Sequence, residues 1–243
     1  LRAGPKFMYV LPNFQNPTGV TIPLDRRLRL VELADRYGVP IIEDDPYGQL
    51  RFEGKHLPAL EVLDDELRGS NGCYHGNVIY LSTFSKILAP GLRMAWVVAT
   101  PEIIQKLVTA KQGTDLQPPT FNQIVTYEIS RRGFLDENIK KIISVYRDRR
   151  DIMLEELDKN MPAGVEWTKP LGGLFLWATL PKEIDTRDLL KKAVEKKVAF
   201  VPGHPFYPNG GGENTMRLNF SNAQPDMIRA GIQRLAGALK ESM

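Results

Sequence analysis

The stretch Leu81-Ser-Thr-Phe-Ser-Lys-Ile-Leu-Ala-Pro-Gly-Leu-Arg-Met-Ala-Trp96 connects two apolar segments of the chain. The apolar residues that lead into it, at 78–81, have the length and composition of a buried strand. They are followed by three hydroxyl side chains and one lysine, Lys86, and then by Arg93 seven residues later. Ligands of open α/β sheets collect beyond the carboxyl ends of the strands, so this exit is a candidate binding site.

The side chains of this stretch suit a ligand that carries both a carbonyl and a phosphate. Lys86 can bond the carbonyl carbon through its amine, while the hydroxyls and Arg93 can hold the phosphate. Taken alone, Lys86 also fits a solvated loop lysine. The assignment therefore depends on the rest of the chain.

Composition excludes several classes of protein. The 243 residues suffice for one large or two modest domains, and 42% apolar with 25% charged residues is typical of a globular protein. The net charge of +3 is too small to favour a nucleic acid or a membrane as partner. Cys73 is the only cysteine and the three histidines are scattered, so the sequence predicts no disulfide framework, no metal site and a reducing, cytoplasmic setting.

Periodicity predicts an α/β sheet in the first half of the chain. An amphipathic helix over residues 23–37, ended by Gly38, separates two apolar strands and would serve as their crossover connection. The region 49–77 reads as mostly irregular, with an acidic piece at 61–66. The predicted strands are residues 6–11, 39–42, 78–81 and 94–99.

Three polar clusters follow the first three of these strands directly. They occupy residues 12–19, 43–48 and 82–86. Since the carboxyl ends of parallel strands meet at one edge of a sheet, the three clusters are expected to converge on a single site.

The second half of the chain predicts a different arrangement. Three helices, at 102–112, 120–131 and 136–159, precede a second α/β unit of strands and helices. The long third helix suggests a bridge between domains, with residues 1–145 as the first domain and 146–243 as the second. In the second unit the predicted strands are 165–168, 173–179, 198–201 and 216–220, and the predicted helices are 186–197 and 224–240.

Four further residues of these clusters and strands have a functional and a structural interpretation. Asp44 can hold a cationic ring nitrogen and Tyr47 can donate to a ring hydroxyl, or the two can belong to a plain Asp-Pro turn. Asn16 offers an amide fixed by Pro17, or an ordinary turn. Arg217 suits a substrate carboxylate, or it points outward from an alternating strand.

The pair Gly172-Gly173 is open to two interpretations as well. It permits close approach of the backbone to a ligand, or it makes a turn.

Five motifs occur in a familiar order along the whole chain. The chain resembles the class I/II pyridoxal-phosphate aminotransferases of fold type I, and within them the branch of 2-aminoadipate and kynurenine aminotransferases. The motifs are Gln15-Asn-Pro-Thr-Gly19, Glu43-Asp-Asp-Pro-Tyr47, Ser82-Thr-Phe-Ser-Lys86 with Arg93, Pro170-Leu-Gly-Gly173 and Met216-Arg-Leu-Asn-Phe220.

The resemblance implies a role for each matching residue. Lys86 would form a Schiff base with pyridoxal 5'-phosphate and move the proton, and Asp44 would keep the pyridine nitrogen protonated. Tyr47 and Asn16 would donate to the ring's phenolic oxygen. The phosphate ligands would be Thr83, Ser85 and Arg93. Arg217, with Asn16, would bind the substrate, and the Asn16-Pro17 bond is expected to be cis.

The resemblance also implies what precedes this chain. It predicts a mostly parallel, incomplete cofactor domain with a small C-terminal domain. It further predicts a missing N-terminal third that holds a glycine turn, a stacking aromatic ring and a tyrosine that crosses the dimer. A homodimer would move the amino group of 2-aminoadipate, or of a broad set of aromatic and aliphatic amino acids, to a 2-oxo acid such as 2-oxoglutarate.

Two other functions stay open on the same fold. One is the aminotransferase-like effector domain of a winged-helix transcription regulator, and such regulators often lose the asparagine that stands here as Asn16. The other is a lyase or decarboxylase, which the residues around Arg217 favour less than a transaminase.

Overall fold

The computed structural model describes residues 4–69 and 72–243. Residues 1–3 lie outside the described part, as do residues 70 and 71 of the segment predicted to be irregular. The chain forms two compact units: Thr21–Ile142 with the residues up to Asn13, and Ile143–Met243 with Phe14–Val20. The assignment of 1–145 and 146–243 as cofactor domain and small domain stays a prediction.

The first unit is built on a four-stranded sheet of order β1-β2-β3-β4. The first three strands are parallel and the fourth is antiparallel to β3, which gives the mostly parallel sheet that the sequence predicts. These strands are β1 (Met8–Val10), β2 (Ile41–Asp44), β3 (Val78–Thr83) and β4 (Ala95–Val98). The helices are α1 (Leu24–Tyr37), α2 (Leu60–Arg68), α3 (Pro101–Thr114), α4 (Thr120–Arg131) and α5 (Phe134–Asn160), the last of which continues into the second unit.

Helix α1 connects β1 to β2 and packs its apolar side on the sheet. Val31 and Ala34 of α1 form a buried cluster with Ile41 of β2 and Val78 of β3. The helix ends at Gly38, whose φ of 60° lets its backbone N–H turn back to the last carbonyls of α1. The predicted helix and its glycine stop are confirmed.

Helix α2 corrects the sequence analysis, which predicted irregular structure across residues 49–77. Leu60 and Leu63 of this helix are buried in the core beside Ile41. Its first two backbone N–H groups, at Leu60 and Glu61, donate to the carboxylate of Glu43 at 3.0 and 3.1 Å. The residue before the helix, Ala59, provides no side-chain cap. The cap therefore comes from β2, and no local pattern reveals it.

The second unit contains a four-stranded antiparallel sheet of order β5-β6-β8-β7. Its buried apolar side chains include Leu176 and Met216 of the sheet and Leu157, Leu189 and Leu235 of the helices. The elements after α5 are β5 (Glu166–Trp167), β6 (Phe175–Thr179), α6 (Thr186–Glu195), β7 (Val201–Pro202), β8 (Thr215–Asn219) and α7 (Pro225–Lys240).

Candidate active site

The ends of β2 and β3 are joined by hydrogen bonds just past the paired residues. Asp44 is the last residue of β2 and pairs in register with Leu81. The backbone N–H of Asp45 donates to Leu81 O at 2.8 Å, and Ser82 Oγ donates to Asp45 O at 2.8 Å. The clusters at 43–48 and 82–86 therefore meet at one edge of the sheet, as predicted from the direction of the strands.

The two consecutive aspartates at this edge have different surroundings. Asp45 accepts the backbone N–H of Gly48 at 2.9 Å, which closes the turn after β2. Burial raises the pKa of the Asp45 carboxyl, and hydrogen bonds from Asn13 and Gly48 act against that rise. Asp44 instead accepts a hydrogen bond from the phenol of Tyr9. Asp45 thus closes the turn after β2, and the role of Asp44 as a ligand of a ring nitrogen stays a prediction.

Lys86 lies in a single helical turn that follows β3. The N–H of Leu88 donates to Phe84 O at 2.8 Å, and the N–H of Phe84 donates to Met94 O at 3.0 Å. The next residue, Ile87, is buried, and its carbonyl accepts from Asn138 Nδ2 at 2.8 Å. Lys86 is thereby attached to backbone that is fixed on both sides.

The predicted phosphate ligands lie around this turn. Thr83 Oγ1 is 2.9 Å from Ser85 Oγ and accepts the backbone N–H of Ser85 at 3.1 Å. Arg93 has a left-handed backbone with φ of 54°, which is uncommon for a residue other than glycine. Its side chain is exposed, and its Nη1 donates to Pro90 O at 3.1 Å. Such backbone strain is concentrated at functional sites in proteins.

Tyr47 follows Asp44 by three residues and is buried, with 6% of its surface exposed. Its carbonyl accepts the N–H of Leu50 at 2.8 Å, which extends the turn that Asp45 begins. The first unit therefore contains six of the predicted site residues: Asp44, Tyr47, Thr83, Ser85, Lys86 and Arg93.

The second unit contains the remaining two predicted residues in direct contact. Arg217 on β8 donates from Nη1 to Asn16 Oδ1 at 2.6 Å, across 201 positions of sequence. Its guanidinium lies over the ring of Phe175, 4.3 Å from the centroid, and 5.6 Å from that of Phe206. Arg217 is half-buried and follows the buried Met216 along β8, and its role as a substrate ligand stays a prediction. The Asn16-Pro17 bond is cis, as expected.

Sequence reasoning missed two contributors to the first unit. One is Tyr9, the hydrogen-bond partner of Asp44. The other is Arg27, which is fully buried and donates to Asn13 Oδ1 at 2.5 Å. Tyr9 could have been found from strand register, because it pairs with Ile42 and Asp44 follows two residues later. Nothing in the charged pattern of α1 distinguishes Arg27 from its neighbours.

The donor set of the first unit fits pyridoxal phosphate. Lys86 offers an amine for the carbonyl carbon, and Asp44 offers a carboxylate for a protonated ring nitrogen. Thr83, Ser85 and Arg93 offer two hydroxyls and a guanidinium for a phosphate. Across residues 4–69 and 72–243, no three histidine, cysteine, aspartate or glutamate side chains are grouped so as to hold a metal ion.

Comparisons with known proteins agree with this chemistry. The chain is 50% identical to aromatic-amino-acid aminotransferase 1 of Thermococcus litoralis over 238 residues, which cover 98% of this chain and 55% of that protein. It superposes with a TM-score of 0.91 and 49% identity on the multiple substrate aminotransferase of Thermococcus profundus, covering 98% of this chain and 57% of that one.

A third relative was solved with a cofactor derivative. It is the α-aminoadipate aminotransferase of Thermus thermophilus, complexed with N-(5'-phosphopyridoxyl)-L-leucine, at 44% identity and a TM-score of 0.90. That match covers 98% of this chain and 59% of the other. More distantly, the chain is 30% identical over 240 residues to an uncharacterized HTH-type transcriptional regulator of Bacillus subtilis, with 99% of this chain and 47% of the regulator covered.

The matches extend over nearly all of this chain, whereas the chain spans only a little more than half the length of the aminotransferases. The structural likeness confirms the predicted fold, the fold type I of the pyridoxal-phosphate enzymes. The model of the family described as "Aminotransferase class I and II" matches residues 3–235. The chain belongs to the class I and II aminotransferase family.

Proposed function

We propose that this chain is the catalytic part of an aminotransferase that moves an amino group from an amino acid to a 2-oxo acid. The observation that carries the proposal is the edge of the first sheet. There Asp44 ends β2 and Thr83 ends β3, Ser85 and Lys86 follow Thr83, and hydrogen bonds tie the two strand ends together. Bound pyridoxal phosphate would supply an electron sink, which would make the hydrogen on Cα of the amino acid substrate acidic.

The residues of the first unit would divide the work of binding and proton transfer. Thr83, Ser85 and Arg93 would anchor the phosphate, so that the ring is held in one orientation. Asp44 would accept a hydrogen bond from the protonated ring nitrogen and stabilise its charge. Lys86 would provide the amine that binds the carbonyl carbon, and it would then act as the base that takes and returns the Cα proton.

Asn16 and Arg217 are proposed as substrate ligands. A guanidinium binds a carboxylate through two parallel hydrogen bonds and thereby fixes the direction of the Cα–H bond. Support comes from the contact between Arg217 and Asn16 Oδ1 at 2.6 Å and from the aromatic ring of Phe175 beneath the guanidinium. Both contacts hold the side chain in place before a substrate arrives, and this lowers the entropy that binding costs.

The proposed amino donors are aromatic amino acids, aliphatic amino acids and 2-aminoadipate, with 2-oxoglutarate as acceptor. The support comes from the relatives described above, one an aromatic-amino-acid aminotransferase and another an α-aminoadipate aminotransferase. We further propose that the protein forms a homodimer and is located in the cytoplasm. No helix of the described residues has the length and hydropathy that crossing a membrane requires.

The test uses the full-length protein that contains this sequence. The wild type mixed with pyridoxal phosphate should develop a visible absorbance band, and Lys86→Ala should abolish that band and lower turnover by at least about 10³-fold. Lys106→Ala, at an exposed position of α3, is the matched control and should behave as wild type. A Lys86→Ala protein with an unchanged band would contradict the role of Lys86.

A panel of amino donors separates the transaminase from the regulator. Transfer to 2-oxoglutarate from an aromatic amino acid or from 2-aminoadipate is expected. Cofactor binding without turnover of any donor would instead support the effector domain of a transcription regulator, which is also represented among the relatives. The presence of Asn16, which such regulators often lose, favours the enzyme.

A further inference from the structure

Tyr9, to which the sequence analysis assigned no role, contacts Asp44, the candidate ligand of the ring nitrogen. Tyr9 is the middle residue of β1, and its phenol donates a hydrogen bond to Asp44 Oδ2. More than half of its side chain surface, 55%, is exposed. The contact is therefore not a consequence of burying the ring in the core.

Strand register places the two side chains on the same face of the sheet. β1 and β2 are parallel, and Tyr9 pairs with Ile42. Paired residues of neighbouring strands share a face, and residues two apart along a strand share it as well. Asp44 is two residues beyond Ile42, so the phenol of Tyr9 reaches it diagonally across the strand pair.

This hydrogen bond limits the orientations that the Asp44 carboxyl can take. A carboxylate at the end of a strand can rotate about χ1 and χ2, and a donor on Oδ2 removes that freedom. Oδ1 is left to accept a second donor.

The same pairing keeps Tyr9 a donor at working pH. Partial burial, followed by the hydrogen bond to Asp44 and its charge, raises the pKa of the Tyr9 phenol above its ordinary value of 10.0. The bond needs the hydroxyl of Tyr9, because an exposed aromatic ring without a hydroxyl cannot make it. Phe7, two residues earlier, is such a ring and is also 55% exposed.

We propose that Tyr9 is a positioning residue that orients Asp44 towards the ring nitrogen of the cofactor. The proposal deepens the aminotransferase function and rests on it. Tyr9 does not touch the reacting atoms in this scheme. It acts by holding one oxygen of Asp44, so that the other oxygen already points to the ring nitrogen. Binding then costs less side-chain entropy.

The test measures cofactor binding and spectrum in the full-length protein. Apo forms of the wild type, Tyr9→Phe, Asp44→Asn and the double variant are titrated with pyridoxal phosphate. Tyr9→Phe should raise the Kd by up to about tenfold, because the Asp44 carboxyl then loses its rotamer freedom only when the cofactor binds. It should also move the pH midpoint of the absorbance band upward, since a carboxylate without its donor favours the protonated cofactor more strongly.

The double variant identifies the route of the effect. If Tyr9 acts through Asp44, then Tyr9→Phe should change neither the Kd nor the pH midpoint in the Asp44→Asn background. Tyr37→Phe is the matched control, because Tyr37 at the end of α1 is exposed to a similar 57%, and this variant should bind as wild type. Equal thermal midpoints of the two phenylalanine variants would show that folding is preserved.

Three results overturn the proposal. One is a Tyr9→Phe protein with the Kd and pH midpoint of the wild type, which removes the role of Tyr9 and leaves the aminotransferase function intact. The second is an effect of the same size in the Asp44→Asn background, which means that Tyr9 acts elsewhere. The third is a wild type that forms no absorbance band dependent on Lys86, and this removes the proposed function together with the inference.

Discussion

Single residues of the same type have different tasks in this chain, and their partners distinguish them. Asp44 and Asp45 are adjacent in a motif that reads Glu-Asp-Asp-Pro. Asp45 holds the backbone of Gly48 and receives a hydrogen bond from Asn13, so its carboxyl has a structural role. Asp44 receives the phenol of Tyr9. Alternation of side chains along an extended strand separates two neighbours in this way.

Arg27 is a second residue whose task is set by its partners. It is fully buried on α1, and its three nitrogens donate to four oxygens. These acceptors are Ile22 O at 2.9 Å, Pro58 O at 2.8 Å, Pro12 O at 3.1 Å and Asn13 Oδ1 at 2.5 Å. The side chain therefore ties the exit of β1 to two other loops.

Replacing Arg27 by methionine should destabilise the protein by about 3 to 5 kcal/mol. The replacement keeps a long apolar stem but leaves several buried oxygens without a donor. Urea unfolding of the full-length protein would measure the loss. Arg26→Met is the matched control, because Arg26 is the adjacent arginine and is exposed. A change within about 0.5 kcal/mol is expected there, and equal losses in both variants would refute the role of the buried network.

At the scale of elements, the loop before β6 depends on one close contact. Gly173 has φ of 75°, and a Cβ added there would stand 2.4 Å from the Cβ of Phe14. Phe14 is fully buried and has a positive φ of 46°, so it has little room to yield. The open question of whether Gly173 faces a ligand or a turn thus has a partial answer. Its backbone approaches Phe14.

Gly173→Ala should cost about 2 to 4 kcal/mol in unfolding free energy. The alanine would combine the strain of a left-handed backbone with a clash against a core side chain. Gly210→Ala separates the two causes, because Gly210 has a similar φ of 81° but open space where its Cβ would lie. Gly210→Ala should cost only about 1 to 2 kcal/mol. Equal costs would show that the contact with Phe14 contributes nothing.

Most elements could be predicted from the sequence, and the exceptions share a cause. Apolar runs and a glycine stop sufficed for β3 and α1, because the pattern that defines them is local. Helix α2 was missed because its few apolar residues are interrupted by acidic ones, so no clear helical period is visible. In addition, its N-terminal cap is Glu43, which lies on a strand 17 positions earlier. The contact between Asn16 and Arg217 spans 201 positions. Only the family resemblance, and no local pattern, could suggest both as substrate ligands.

At the scale of the whole molecule, buried charges make the stability depend on pH. Glu43 is fully buried, and burial raises the pKa of its carboxyl from 4.5 to about 7. The backbone N–H groups of Leu60 and Glu61 and the charge of Arg27 oppose this rise, while the charge of Asp45 adds to it. Between pH 4.5 and 7 the folded protein therefore holds a proton that the unfolded chain has released.

The free energy of unfolding should consequently fall as the pH rises from 4.5 to about 7. At about 1.4 kcal/mol per pKa unit, this one group costs on the order of 3 kcal/mol across the window. Glu43→Gln removes the titration while its amide oxygen can still accept one N–H of α2. Relative to the wild type, the variant should thus gain stability progressively from pH 4 to pH 8. Urea unfolding at several pH values would measure the difference, and Glu32→Gln would control for the loss of an exposed carboxylate. A Glu43→Gln difference that stays flat across this range would show that the pKa of Glu43 is the same in the folded protein as in the unfolded chain, and this would contradict the raised pKa of the buried carboxyl.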